Sequence, residues 1–138
     1  MTGVPQRLSF VTLGARDVAR LRAFYAAWGW SERDGGSDGF AQFDLGGVRL
    51  ALFPLDQLRA EAARDADLPA AGAWSGVTLA VNVTTRGEVD RAFATAVAAG
   101  ARVVASPVER DWGGHSGYVA DPEGARWEIA WSPGSDDR

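Results

Sequence analysis

The sequence predicts an α+β domain of two repeated β-α-β-β-β modules, forming a curved, cup-like mixed sheet with the helices outside. Internal echoes predict it. Gly47-Val-Arg-Leu-Ala-Leu52 returns as Gly124-Ala-Arg-Trp-Glu-Ile129, Phe10-Val-Thr-Leu13 as Gly76-Val-Thr-Leu79, and Arg22-Ala-Phe24 as Arg91-Ala-Phe93. The echoes keep their order while the spacing between copies grows, so the copies differ by loop insertions. Two copies are too few for a solenoid and point to a pseudo-symmetric domain.

Leu8 to Leu13 opens module one as a strand, with Phe10 and Thr12 on one face and Val11 and Leu13 on the other. Asp17 offers an N-cap to a helix whose apolar residues Val18, Leu21, Phe24, Tyr25 and Trp28 fall at helical spacing, and Gly29 ends it. A short strand is expected near Trp30 to Arg33. Phe40 to Leu45 and Val48 to Phe53 are strands joined at Gly46-Gly47, where glycine takes positive φ cheaply. Module one therefore spans 7–54. Residues 55–75 read as a helical linker, capped by Asp56 and running to Ala66, then a loop. Module two, 76–132, begins with a strand from Gly76 to Val83. Thr85 and Glu88 have capping-box spacing ahead of a helix with the stripe Val89, Phe93, Ala96 and Val97, which Gly100 stops. Strands over Arg102–Ala105, Gly117–Ala120 and Arg126–Trp131 complete the module, with Asp121-Pro-Glu-Gly124 as a turn. The tail, 133–138, is expected to fray.

In each module the helix needs an apolar sheet face, which Val11 and Leu13, or Val77, Leu79 and Val81, supply. The opposite faces carry Phe10, Thr12, Arg49, Ala51 and Phe53 in one module and Thr78, Arg126, Glu128 and Ala130 in the other. A lined cup accounts for both.

Composition narrows the chemistry. The 138 residues suit one domain. Cysteine is absent, which excludes disulfides, thiolate metal sites and thiol nucleophiles. All 14 basic residues are Arg, which removes Schiff-base chemistry, and there is one His. The formal charge of −4 weighs against nucleic acid and suits a cationic ligand, although such a balance is also ordinary for a soluble protein. No apolar run approaches the roughly 20 residues of a membrane span, and the first ten residues lack a signal-peptide pattern, so no membrane partner and a cytoplasmic location are expected.

The chain resembles the vicinal oxygen chelate superfamily, the group of glyoxalases, bleomycin resistance proteins and ring-cleaving dioxygenases. The resemblance covers residues 7–132. It rests on Val11-Thr-Leu-Gly-Ala-Arg-Asp17, Arg22-Ala-Phe-Tyr25 and Trp112-Gly-Gly-His-Ser-Gly-Tyr118, followed by Ala120-Asp-Pro-Glu-Gly124 and Trp127-Glu128. The last stretch is similar to the glyoxalase-like subgroup. The resemblance implies two β-α-β-β-β modules around a cleft, a homodimer, and a divalent metal held at four positions. Those positions are here Phe10, Ala51, Gly76 and Glu128. Only Glu128 has a donor side chain, so no metal and no cofactor are expected.

Several residues invite two readings. Glu128 is a general base or ligand-pairing carboxylate in the cleft, or a structural partner of Arg49 or Arg126, or simply exposed. Arg49 and Arg126 clamp an anion or form strand salt bridges. His115, in a Gly-rich loop, reaches the cleft as acid or base, or is a surface residue. Trp28, Trp127 and Trp131 belong to packing, whereas Trp74 and Trp112 lie in loops and are candidates for stacking on a planar ligand.

The expected site comprises Glu128 and His115 as chemical groups, with Phe10, Thr12, Arg49, Ala51, Phe53, Thr78, Trp112, Tyr118 and Arg126 as ligand contacts. The first functional reading is a metal-free protein enclosing a small, partly aromatic molecule. An alternative is a metal-independent isomerase or lyase with Glu128 as base. A metal-dependent lactoylglutathione lyase or dioxygenase is third.

Overall fold

The computed structural model describes residues 3–134, so residues 135–138 of the expected tail lie outside the described residues. The order of elements is β1 (Phe10–Ala15), α1 (Val18–Ala27), β2 (Ala41–Asp44), β3 (Arg49–Pro54), α2 (Leu55–Ala62), β4 (Thr78–Asn82), α3 (Arg86–Ala98), β5 (Arg102–Glu109), β6 (His115–Ala120) and β7 (Arg126–Trp131). The fold is α+β with two mixed sheets, one of three strands and one of four. Contacts divide the chain into two compact units. The first holds the chain up to Arg22 with Trp30–Leu68, and the second holds Ala23–Gly29 with the chain from Pro69 onward.

In the first unit the strand order is β1-β3-β2, with β1 parallel and β2 antiparallel to β3. Alternation sends Ala41, Phe43, Leu50 and Leu52 to a buried face, while Phe10 and Thr12 are exposed on the other. Each buried Phe or Leu contributes roughly 1.5–3 kcal/mol. The strand expected near Trp30 to Arg33 is reduced to one bridge, Glu32 to Phe43. Arg22 explains this, because its guanidinium holds Glu32 at 2.8 Å and also takes the carbonyls of Ser37 and Phe40, fixing the segment as a loop. Asp17 accepts from the amide of Arg20 at 3.0 Å, as a cap should.

The linker helix departs from expectation at both ends. Its N-cap is Pro54, without a side-chain cap, and Asp56 sits in its first turn; it stops at Ala62 rather than Ala66. Proline supplies the fixed φ of an entry position, which displaces the start by two residues. At Gly14 a Cβ would meet Leu55 Cδ1 at 2.6 Å and Leu58 Cδ2 at 3.3 Å. The helix therefore rests on β1 where no side chain stands in its way.

In the second unit the order is β4-β7-β6-β5, with β4 parallel to β7 and the other pairs antiparallel. Thr85 caps α3 by accepting from Glu88 N at 3.1 Å, while the Glu88 carboxylate reaches Thr84, one residue before the cap. Val89, Phe93 and Ala96 are buried, but Val97 is 39% exposed and lies off the stripe. The helix closes through Ala101 N to Ala96 O and Gly100 N to Val97 O, with Gly100 at φ 114°. β5 runs on to Glu109, four residues beyond the expected end, across register shifts between Val103 and Val108. The second half of α1 finds its aromatic partner in β7, with Tyr25 and Trp28 ring centroids 6.0 and 5.4 Å from Trp127.

Candidate functional site

Residues paired across a ladder point to the same side of the sheet, and neighbours along a strand point to opposite sides. Tyr118 and Ala80 flank Glu128, Thr78 and Ala120 flank Arg126, and Ser116 and Asn82 flank Ala130. One face of the second sheet thus gathers Thr78, Tyr118, Arg126 and Glu128, four of the residues expected to form the site. Tyr118 stands directly across the ladder from Glu128. Partial desolvation raises the Tyr118 pKa above its ordinary value, and the neighbouring Glu128 carboxylate raises it further, while Arg110 opposes them. At neutral pH Tyr118 is therefore a protonated phenol beside Glu128.

Arg110 is the residue that sequence reasoning missed here. Its guanidinium lies 5.5 Å from the Tyr118 ring centroid and donates to Ser116 Oγ at 2.8 Å and Ser116 O at 3.0 Å. A tight loop positions it, with Arg110 N donating to Gly114 O and Gly113 N to Arg110 O. The signal available was an arginine closing a Trp-Gly-Gly turn. Arg126 donates to Gly124 O at 2.6 Å, so at least part of its guanidinium serves the turn before β7.

His115 requires correction. It is the first residue of β6 rather than a loop residue, and it pairs with Trp131. By alternation it faces the side opposite Tyr118 and Glu128, toward α3. Its Nε2 is 3.0 Å from Asp90 Oδ1 on that helix, and its Nδ1 is 3.8 Å from Glu109. Arg86 completes this second polar group by pairing with Glu109 at 2.7 Å and lying 4.4 Å from the Trp131 ring centroid. Its guanidinium beside Glu109 lowers that carboxyl's pKa. Trp112 folds back on Gly114, where an added Cβ would come within 1.8 Å of a ring carbon, and keeps 55% of its surface exposed.

The first sheet carries the other group. Phe10 pairs with Arg49 and Thr12 with Ala51, and Gly14 with Phe53, so the expected residues share one face. Arg49 donates to Asp44 at 3.0 Å and lies 5.8 Å from the Phe10 ring centroid. Asp44 also holds Arg33 at 2.8 Å, and these arginines, Arg33 foremost, keep its carboxyl below the usual pKa. Of the two readings for Arg49, the strand salt bridge is thus the one observed. Phe53 meets Phe40 edge to face at 6.2 Å. An open depression of about 580 Å³ lies near Asp17, Asp38, Leu55 and Leu68 and is lined by none of the expected residues.

The four family metal positions supply one carboxylate, Glu128, beside Phe10, Ala51 and Gly76. Among the described residues no group of three His, Asp or Glu side chains is arranged to hold a metal ion. The donor set does not fit a divalent metal, which wants several oxygen or nitrogen ligands. Among the described residues no helix is long and apolar enough to cross a membrane.

Comparison with known proteins agrees with this architecture. Residues 7–129 match the model of the Glyoxalase/Bleomycin resistance protein/Dioxygenase superfamily. A glyoxalase-related enzyme from Fulvimarina pelagi is similar in structure, with a TM-score of 0.82, 28% identity, and coverage of 94% of this chain and 90% of that one. A glyoxalase/bleomycin resistance protein/dioxygenase family enzyme from Burkholderia phytofirmans PsJN gives 0.76 at 24% identity, covering 89% and 96%. A lactoylglutathione lyase from Agrobacterium tumefaciens gives 0.69 at 22%, covering 93% and 95%. The last two likenesses speak for the fold alone. No curated protein matches the sequence.

Proposed function

The chain belongs to the Glyoxalase/Bleomycin resistance protein/Dioxygenase superfamily, and from that premise we propose that it binds a small, partly aromatic molecule without a metal at the family position. One observation carries the reading. The single family position that keeps a donor, Glu128, stands half-buried across the ladder from Tyr118 rather than, among the described residues, within a cluster of ligating side chains. A carboxylate so placed offers its lone pairs to a cation or an N–H donor, and the exposed Trp112 offers stacking surface. Homodimerisation and a cytoplasmic location belong to the same proposal.

The alternative, metal-independent isomerase or lyase chemistry, draws on the same pair. Glu128 would abstract the proton, and Tyr118, kept protonated, would donate to an enolate-like oxygen or to the returning base. Glu128→Gln separates the readings. For a binding protein, affinity for a cationic aromatic should fall by the roughly 1–3 kcal/mol of a charged hydrogen bond, with a neutral analogue little changed. For an enzyme, turnover should drop by about two to four orders of magnitude with binding nearly intact. The measurement is calorimetric titration of a planar aromatic panel with product analysis by mass spectrometry. A variant that matches the parent in both assays removes Glu128 from the site.

A further inference from the structure

The face of the first sheet that carries Thr12 and Ala51 continues across the ladder to Gln42 on β2, which pairs with Ala51. Gln42 Oε1 is buried and has no hydrogen-bond partner among the described residues. An acceptor in that state costs about as much as a lost hydrogen bond, and folded proteins seldom leave one idle unless something else uses it. Its surroundings suggest what that is. Along the same face stand Phe10, 47% exposed, and the edge-to-face pair Phe40 and Phe53. Asp44 already occupies Arg49, so the charged groups at that end are matched to each other, and the Gln42 acceptor is the unmatched polar atom of the patch.

We infer that Gln42 is a recognition residue of the binding face, its Oε1 accepting a hydrogen bond from an N–H or O–H donor carried directly on an aromatic ring. The inference rests on the proposed small-molecule reading and narrows its ligand class. An aromatic ring packed against Phe10 and Phe53 places a ring-borne donor near the Thr12–Ala51–Gln42 row, of which Thr12 is the exposed member, and the half-buried Gln42 side chain turns toward it. The same ring without the donor leaves the acceptor buried and unmatched, so it binds more weakly. Selectivity on this face then comes from an unsatisfied amide, independent of the Glu128 carboxylate.

Indole and 1-methylindole share a ring system and differ in the donor, which makes them the probes. Both are titrated into the nitrogen-15-labelled protein, and affinity is read from amide shifts of residues around Phe10, Ala51 and Phe53. Indole is expected to bind roughly tenfold more tightly than 1-methylindole. In Gln42→Met, which keeps the size and removes the acceptor, the ratio should collapse to within about twofold. The ligand-free variant should melt no lower than the parent, because it loses an unsatisfied polar atom rather than a bond. Equal affinities in the parent, an unchanged ratio in Gln42→Met, or a variant that melts several degrees lower would each overturn the assignment of Gln42 alone. Absence of binding by either indole, with no shifts on this face, would instead remove the small-molecule reading and this inference with it.

Discussion

Tyr25→Phe tests the logic of the second unit most sharply, because it removes one oxygen and almost no volume. The Tyr25 hydroxyl is fully buried, donates to Asp121 Oδ2 at 2.6 Å and accepts from Trp127 Nε1 at 2.8 Å. The ring itself packs on Phe24 at 5.0 Å and Trp28 at 5.1 Å, contacts that Phe retains. Losing the hydroxyl removes the acceptor that the Trp127 indole N–H uses, at about 1–3 kcal/mol, and takes from Asp121 a bond to a charged group, at about 1.5–3 kcal/mol. The two losses share one atom and do not add in full, so about 3–4 kcal/mol is expected, a large part of the roughly 5–15 kcal/mol of a typical domain. The deficit should also depend on pH. Burial raises the Asp121 pKa, and the Tyr25 hydrogen bond is the foremost influence pulling it back down, so the variant's pKa sits higher still. A carboxyl whose folded pKa exceeds its unfolded one contributes stability that is complete below the unfolded pKa and lost as pH rises through the folded pKa. The variant loses more over that rise, and its deficit grows from acid toward neutral pH. Urea unfolding across that range measures both terms. A loss under about 1 kcal/mol, or a deficit independent of pH, would refute the account of this network.

Three further outcomes are expected. Gly117→Ala places a Cβ 2.9 Å from Phe93 Cε2 and 2.9 Å from Pro107 N, and should cost about 1–3 kcal/mol by urea unfolding, because the irregular stretch of β5 sits against that glycine. Gly114→Ala must lift the Trp112 indole away and also brings a Cβ within 2.6 Å of Trp131 O, so the indole N–H resonance should move and stability should fall by about 1–3 kcal/mol in urea unfolding. Light scattering at micromolar concentration should give a dimer mass, since β5 is an edge strand with Val103, Val104 and Val108 exposed.

Much of this was legible because the signals are local. Asp17, Thr85, Gly29 and Gly100 bound helices for reasons carried by single residues, and strand alternation alone put Arg126 and Glu128 on one face. What was not legible depends on pairing. That Tyr118 stands opposite Glu128 follows from the register of β6 on β7, which no residue of either strand announces. His115 was misread for a related reason. The glycines at 113 and 114 look like the interior of a loop, yet Gly114 is the last residue before the strand, and a strand beginning at His115 commits its imidazole to the helix side. The β2 strand looked like a hairpin partner and nothing more, so the orphaned amide of Gln42 had no signature in sequence.

Separating His115 from Glu128 changes which chemistry the second sheet offers. With both on one face, an imidazole and a carboxylate would have formed an acid–base pair. Instead His115 is spent on Asp90 and lies near Glu109, and Glu128 has as its neighbour a phenol that burial and the carboxylate's own charge keep protonated. A neutral donor does not cancel the carboxylate charge. Arg110, the cation beside Tyr118, is anchored on Ser116 and stacks on the ring rather than pairing with the acid. The face therefore presents a carboxylate beside a neutral phenol, and the binding proposed for it is that of a ligand bringing its own positive charge or its own donor.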